Sequence, residues 1–292
     1  MEEQLGDPVS DHLDNKILFD PHLRVKLVNN VFDFVQKNKF NGIELLSAYL
    51  IEDNADASDK QNFVLLLKAL KEKFDKKGLI LSLAVDFRES TAKKFDIKEI
   101  SKYVSFINLR TYDFHGGIYE NKRVVRAGHI APLYHSSKEN TEDRKLNVDF
   151  VVKLWISEGA PPSKLILGTT FNGISYTLTD PKQIGRNAPV DGPILPYILP
   201  TITYHDVCRK EKDRVWKQLY DKEQQVSYLY NGKEMISYDG ADSIKRKAEY
   251  AKKLKLGGVF VDSLDKDDFS GKCGREKYPL LRIVNRVLRD KC

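Results

Sequence analysis

A chain of 292 residues that is 41% hydrophobic, 31% charged and 10% aromatic can bury a full core, which excludes disorder over most of its length. Its formal net charge of +6 comes from 48 basic and 42 acidic residues. These are interspersed along the chain, so the charge favours solubility and leaves no footprint for nucleic acid. Residues 1–19 read as a loose acidic leader, unlike the basic and apolar start of a secretory signal. Pro21 then suits a first helical turn, and Val25, Leu27, Val28, Val31, Phe32 and Val35 fall close to helical spacing. A short strand follows at Gly42–Leu46, with a single ionisable group, Glu44, in its middle. Lys60–Lys76 is predicted as a helix and Leu79–Val85 as a parallel strand buried on both faces, because its apolar run is unbroken. Phe95–Tyr103 reads as a short helix, Val104–Thr111 as a strand, Asn147–Gly159 as a helix and Leu165–Thr170 as a strand. Between Asp180 and Tyr238 the alternation breaks into Pro, Gly and short strand-like pieces, which reads as an inserted β-rich lobe. It resumes with a helix at Ser243–Leu256, a strand at Gly257–Val261 and a last helix at Pro279–Arg289.

Repeated strand–helix units with apolar strands predict a parallel sheet with right-handed crossovers, either an open doubly wound sheet or a barrel. No Gly-rich phosphate loop follows any strand, which weighs against a dinucleotide-binding sheet. No apolar run reaches the roughly 18 residues of a membrane helix, so no span is expected. The three cysteines, Cys208, Cys273 and Cys292, lack metal-ligand spacing, and neither a metal nor a cofactor is expected.

From Phe106 to Gly116 the sequence reads FINLRTYDFHG. Together with FNGIELLSAYL (Phe40–Leu50), APLY (Ala131–Tyr134), the stretch Leu146–Leu178, YHDVC (Tyr204–Cys208), Ile236–Gly271 and CGREKYPLL (Cys273–Leu281), it resembles the glycoside hydrolase family 18 chitinases and chitinase-like proteins in order and spacing. The resemblance implies an α/β fold, a (β/α)8 TIM barrel of chitinase type with a small α+β lobe inserted. Since only about five barrel strands are legible, it also implies that strands one to three are absent and that the barrel is incomplete. The implied organisation is a leader at 1–19, barrel parts at 20–179 and 239–292, and the lobe at 180–238.

Family enzymes use a glutamic acid as proton donor and a neighbouring aspartate that orients the sugar's N-acetyl group. Laid over their fourth-strand motif, this chain has Asn41 and Glu44 at the first two acidic positions, Leu46 at the orienting aspartate and Ala48 at the proton donor. Neither Leu nor Ala can move a proton, so the resemblance implies a pseudoenzyme with no catalytic residues. The tryptophan floor of the sugar cleft corresponds to Asp262, the Tyr and Arg after the seventh strand to Asn172 and Ile174, and the Met of the sixth-strand motif to Arg110. Tyr112 and Asp113 keep the family identity. The candidate ligand-binding residues are therefore Tyr112, Asp113, Asp262 and Asn172, and Cys208–Cys273 is the implied disulfide. Glu44 is expected to be buried and paired with Arg110, and His115 to be a rim residue.

Three functions follow. The first is a secreted, non-catalytic protein that binds chitin or N-acetylglucosamine oligosaccharides, or a protein receptor, through a remodelled cleft. The second is a degenerate or truncated product with no sugar site. The third is a glycosidase with its acids relocated to Asp113 and Asp262.

Overall fold

The computed structural model describes residues 20–46, 57–115, 124–194 and 201–289. Helix α1 (Pro21–Lys37) opens with Asp20, whose carboxylate accepts from the His22 and Leu23 amides, and with Pro21 at its first position. Both features satisfy a helix start. Strand β1 (Gly42–Leu46) follows, then α2 (Ala57–Asp75), β2 (Ile80–Asp86), α3 (Glu89–Lys93), α4 (Ile97–Tyr103) and β3 (Phe106–Arg110). Next come β4 (Val124–Arg126), α5 (Val148–Ser157), β5 (Leu165–Thr170), β6 (Asn172–Thr177), β7 (Pro189–Ile194) and β8 (Thr201–Thr203). The remaining elements are α6 (Tyr204–Lys212), β9 (Lys217–Asp221), β10 (Val226–Asn231), β11 (Glu234–Tyr238), α7 (Ala241–Lys253), β12 (Gly258–Asp262) and α8 (Pro279–Leu288).

Five strands form a parallel sheet in the order β1-β2-β3-β5-β12. Alternation along each strand separates two faces. Leu81, Leu83, Val85, Ile107, Leu109, Leu165 and Leu167 point to the helical layer and share one core with Phe63, Leu67, Phe74, Ile100, Val151 and Trp155 of the helices. The other face carries Glu44, Ser82, Ala84, Asp86, Asn108, Arg110, Thr170, Phe260 and Asp262, which is why it is polar. Among the described residues, β1 and β12 each pair on one side only.

A second, antiparallel sheet has the order β8-β6-β11-β10-β9. Its strand β6 leaves β5 after a single residue and pairs with β11 and β8. Ile174 and Tyr176 of β6 and Met235 of β11 pack with Ala127, Ile130 and Tyr112, so this lobe stands against the end of β3. Behind β11, Asp239 and Lys247 form an ion pair, and both side chains are wholly buried. Desolvation raises the Asp239 pKa and lowers that of Lys247. Cys208 of α6 and Cys273, past β12, form a disulfide with Cα atoms 5.6 Å apart. Cys292 lies outside the described residues.

Glu44 is not the buried partner of Arg110. Its side chain is exposed, and its carboxylate accepts hydrogen bonds from Ser82 Oγ at 3.3 Å and from Asn108 Nδ2. The register explains the difference. Glu44 lies directly opposite Ser82 on β2, and the two neutral donors reach it on a face that no helix of the described residues covers.

Candidate binding site at the strand ends

Parallel strands of a barrel-type sheet deliver their functional groups at their C-terminal ends. Here β3 ends on Arg110 and continues through Thr111 into Tyr112 and Asp113, while β12 ends on Asp262. Thr111 anchors the turn, its hydroxyl donating to the Gly168 carbonyl of β5 at 2.7 Å. At Asp113 the chain takes φ 58°, a left-handed conformation that Asp tolerates better than most residues.

The Tyr112 hydroxyl bridges two charges. It donates to Asp262 Oδ2 at 2.8 Å and accepts from Arg110 Nε at 3.0 Å. The ring is buried and meets Phe260 edge-on at 6.0 Å. Burial first, and then the Asp262 charge, push the phenol's pKa upward, so it remains a neutral donor. Asp113 has a different environment. Burial, and secondarily the charge of Asp262, push its pKa up to about 6, against the opposing pull of Arg110. Its carboxylate accepts no hydrogen bond from the described residues.

Of the four candidate residues, Tyr112 and Asp262 are thus joined by a hydrogen bond, and Asp113 follows Tyr112 directly in the chain. Asn172 sits at the same end of the sheet. Its amide donates to Thr170 Oγ1, and that hydroxyl donates to the Asp262 carbonyl at 3.0 Å. The side chain of Asn172 touches neither Tyr112 nor Asp113 through a hydrogen bond. Ile174, on β6, is buried in the cluster that includes Tyr112, Ala127 and Ile130. Leu46 stands 41% exposed at the end of β1, and Ala48 lies outside the described residues. His115 is half-buried, and its Nδ1–H donates to the His129 carbonyl at 2.9 Å.

Sequence reasoning missed Arg110 as a member of this group. The available signal was its spacing two residues before Tyr112 and two after Asn108, which puts it on the uncovered face. As a whole the arrangement offers charge-assisted hydrogen bonds to hydroxyl, amide or amine groups, and one carboxyl that exchanges a proton near pH 6. Among the described residues the grouping of Cys208, Asp268 and Cys273 has the proximity of a metal site. Both sulfurs are engaged in the disulfide, so it does not fit a metal ion.

The model of the glycosyl hydrolases family 18 matches residues 14–267. The chain belongs to that family and has its barrel-type α/β fold. It is 32% identical to mouse chitotriosidase-1 over 279 residues, which is 91% of this chain and 58% of that protein. It is likewise 32% identical to probable chitinase 10 of Drosophila melanogaster, covering 94% of this chain and 12% of the fly protein. The chain therefore spans only part of the length of these relatives. Among solved structures it is similar to the group IV chitinase of Ostrinia furnacalis, with a TM-score of 0.83 and 30% identity over 97% of this chain and 78% of that one. Human YKL-39, described as a pseudo-chitinase with retained chitooligosaccharide binding properties, gives a TM-score of 0.80 at 27% identity, covering 93% of this chain and 75% of its own. The family thus contains both active chitinases and pseudo-chitinases.

Proposed function

We propose that this chain is a non-catalytic family member that binds a chitin-type oligosaccharide in the cleft formed by Tyr112, Asp113, Asp262 and Asn172. The observation that carries the proposal is Leu46. Strand β1 delivers an apolar, part-exposed side chain to the strand end where the reaction needs a carboxylate. With Ala48 at the proton-donor position, neither group that handles the proton or the acetamide is present. Loss of a general acid alone lowers the rate about 10²–10⁴-fold. Tyr112 and Asp113 remain in position to hold a ligand, as fits a family whose member YKL-39 retains chitooligosaccharide binding.

The same reading divides the chain into barrel parts at 20–179 and 239–292 and a lobe at 180–238, with barrel strands one to three supplied by nothing in the described residues. The one-sided pairing of β1 and β12 supports it. It also places the protein outside the cell, where the Cys208–Cys273 disulfide would persist, and leaves a protein receptor as a second class of partner.

A second reading rests on Asp113. A carboxyl titrating near pH 6 beside Asp262 resembles the split pair of a glycosidase, one group protonated and the other ionised. Incubating the purified chain with chitooligosaccharides, and titrating them calorimetrically in parallel, separates the two. Saturable binding without cleavage, weakened by Tyr112→Phe and Asp113→Ala, is expected. Cleavage that disappears in Asp113→Asn establishes the relocated-acid enzyme, and absence of both binding and cleavage removes the sugar site.

A further inference from the structure

The uncovered face of the parallel sheet has a charge opposite to that of the chain. The protein as a whole carries +6. Along this face and at its strand ends the described residues set the carboxylates Glu44, Asp86, Asp113 and Asp262 against the guanidiniums Arg88 and Arg110. Arg88 is committed to Asp86 by a 2.5 Å ion pair, and Arg110 is drawn to the Tyr112 hydroxyl and ring. The excess is negative. It is concentrated where Asp262 replaces the aromatic residue that the family places beneath the central sugar.

Two features of this group point to a cation as the ligand's contribution. Asp113 is a part-buried carboxylate with no hydrogen-bond donor among the described residues, and its oxygens remain open to a ligand. Asp262 has one oxygen engaged by Tyr112, while its charge raises the cost of ionising Asp113. A positive group donating N–H bonds between the two would satisfy both carboxylates and remove their repulsion. A neutral acetamide would instead bring a methyl group and a carbonyl oxygen to a site lined by carboxylates and lacking the aromatic floor. Charge-assisted hydrogen bonds are roughly twice as strong as neutral ones.

We propose that the cleft selects oligosaccharides of 2-amino sugars, the deacetylated, positively charged form of a chitin-type chain, over the N-acetylated form. This rests on the sugar-binding reading above and specifies its ligand. The ammonium of one unit lies between Asp113 and Asp262, and the ring hydroxyls face Tyr112 and Arg110. The groups facing Asp113 are Arg110 on β3, Tyr112 beside it, Asp262 on β12 and Tyr176 on β6. Asp113 takes up its proton near pH 6. Affinity therefore falls on the acid side as Asp113 takes up its proton, and on the alkaline side as the sugar amine loses its own.

The test titrates the full chain with glucosamine tetraose and with N-acetylglucosamine tetraose, near neutral pH and at low and high salt. The amine form is expected to bind at least about tenfold more tightly, the equivalent of one charge-assisted contact, and to weaken as salt rises. In Asp262→Asn, checked by a thermal melt for folding, that preference shrinks by about tenfold. Equal or tighter binding of the acetylated tetraose overturns the cationic selectivity and leaves the sugar site standing. A preference that survives Asp262→Asn unchanged overturns the placement of the ammonium. If neither tetraose binds, the sugar site and its selectivity fail together.

Discussion

Asp113 is held at φ 58°, largely out of water, next to another carboxylate and without a donor. Such a group opposes folding whenever it is ionised. Its pKa is raised to about 6 in the folded chain, above the unfolded value of about 4. Between those values the native state holds the proton that the unfolded state has released, so its contribution to stability declines as pH rises through that window and stays lost above it. Asp113→Asn removes the charge while keeping the shape. The variant is expected to be more stable than the parent at neutral pH, by on the order of 1–2 kcal/mol after solvent screening. The difference should close as pH falls to about 4. Denaturant titrations of both proteins at several pH values measure this, and a gap independent of pH would show that Asp113 is not destabilised by its own charge.

Among the elements, the lobe's helix α6 is tied to the segment past β12 by covalent and polar contacts together. The Cys208–Cys273 disulfide closes a separation of 65 residues, and Asp268 accepts from the Cys273 amide at 2.7 Å and contacts His205 Nδ1 at 3.3 Å. His205 in turn stacks on Phe269 at 4.9 Å. In the chain-entropy account a loop of this length stabilises by about 4 kcal/mol, and removal of native disulfides typically costs about 2–5 kcal/mol. The double variant Cys208→Ser, Cys273→Ser should lose stability in that range, and the parent should lose the same amount on reduction. A reduced parent as stable as the oxidised one would mean that the Asp268 and His205 contacts alone hold α6 in place. The pairing was legible from the resemblance because two cysteines sat at family positions. The place of β6 in the antiparallel sheet was not, because β6 follows β5 after one residue with no turn signal.

At the scale of the whole molecule, the strands of the parallel sheet were readable from sequence. Leu165–Thr170 and Gly42–Leu46 were placed to the residue, and Leu79–Val85 was displaced by one. The uncovered face was much less readable. Glu44, Asn108 and Arg110 lie on it through a register shared among strands far apart in sequence, and no local pattern encodes which strand lies beside which. That face and the two outer strands give the molecule an uneven stability. Among the described residues, strands β2, β3 and β5 pair on both sides, while β1 and β12 pair on one. Beside β12, Val259, Val261, Leu281, Val284 and Leu288 line a groove of about 560 Å³ rimmed by Lys252 and Lys255, and beside β1 the rings of Phe34 and Phe40 are half exposed. Backbone amides without a partner exchange with solvent quickly unless something covers them. Hydrogen exchange of the purified chain should therefore be slowest in β2, β3 and β5 and fast at the outward amides of β1 and β12. If the outward amides prove as protected as the central strands, the edges are covered in solution, and a dependence of that protection on protein concentration would identify a second copy of the chain as the cover.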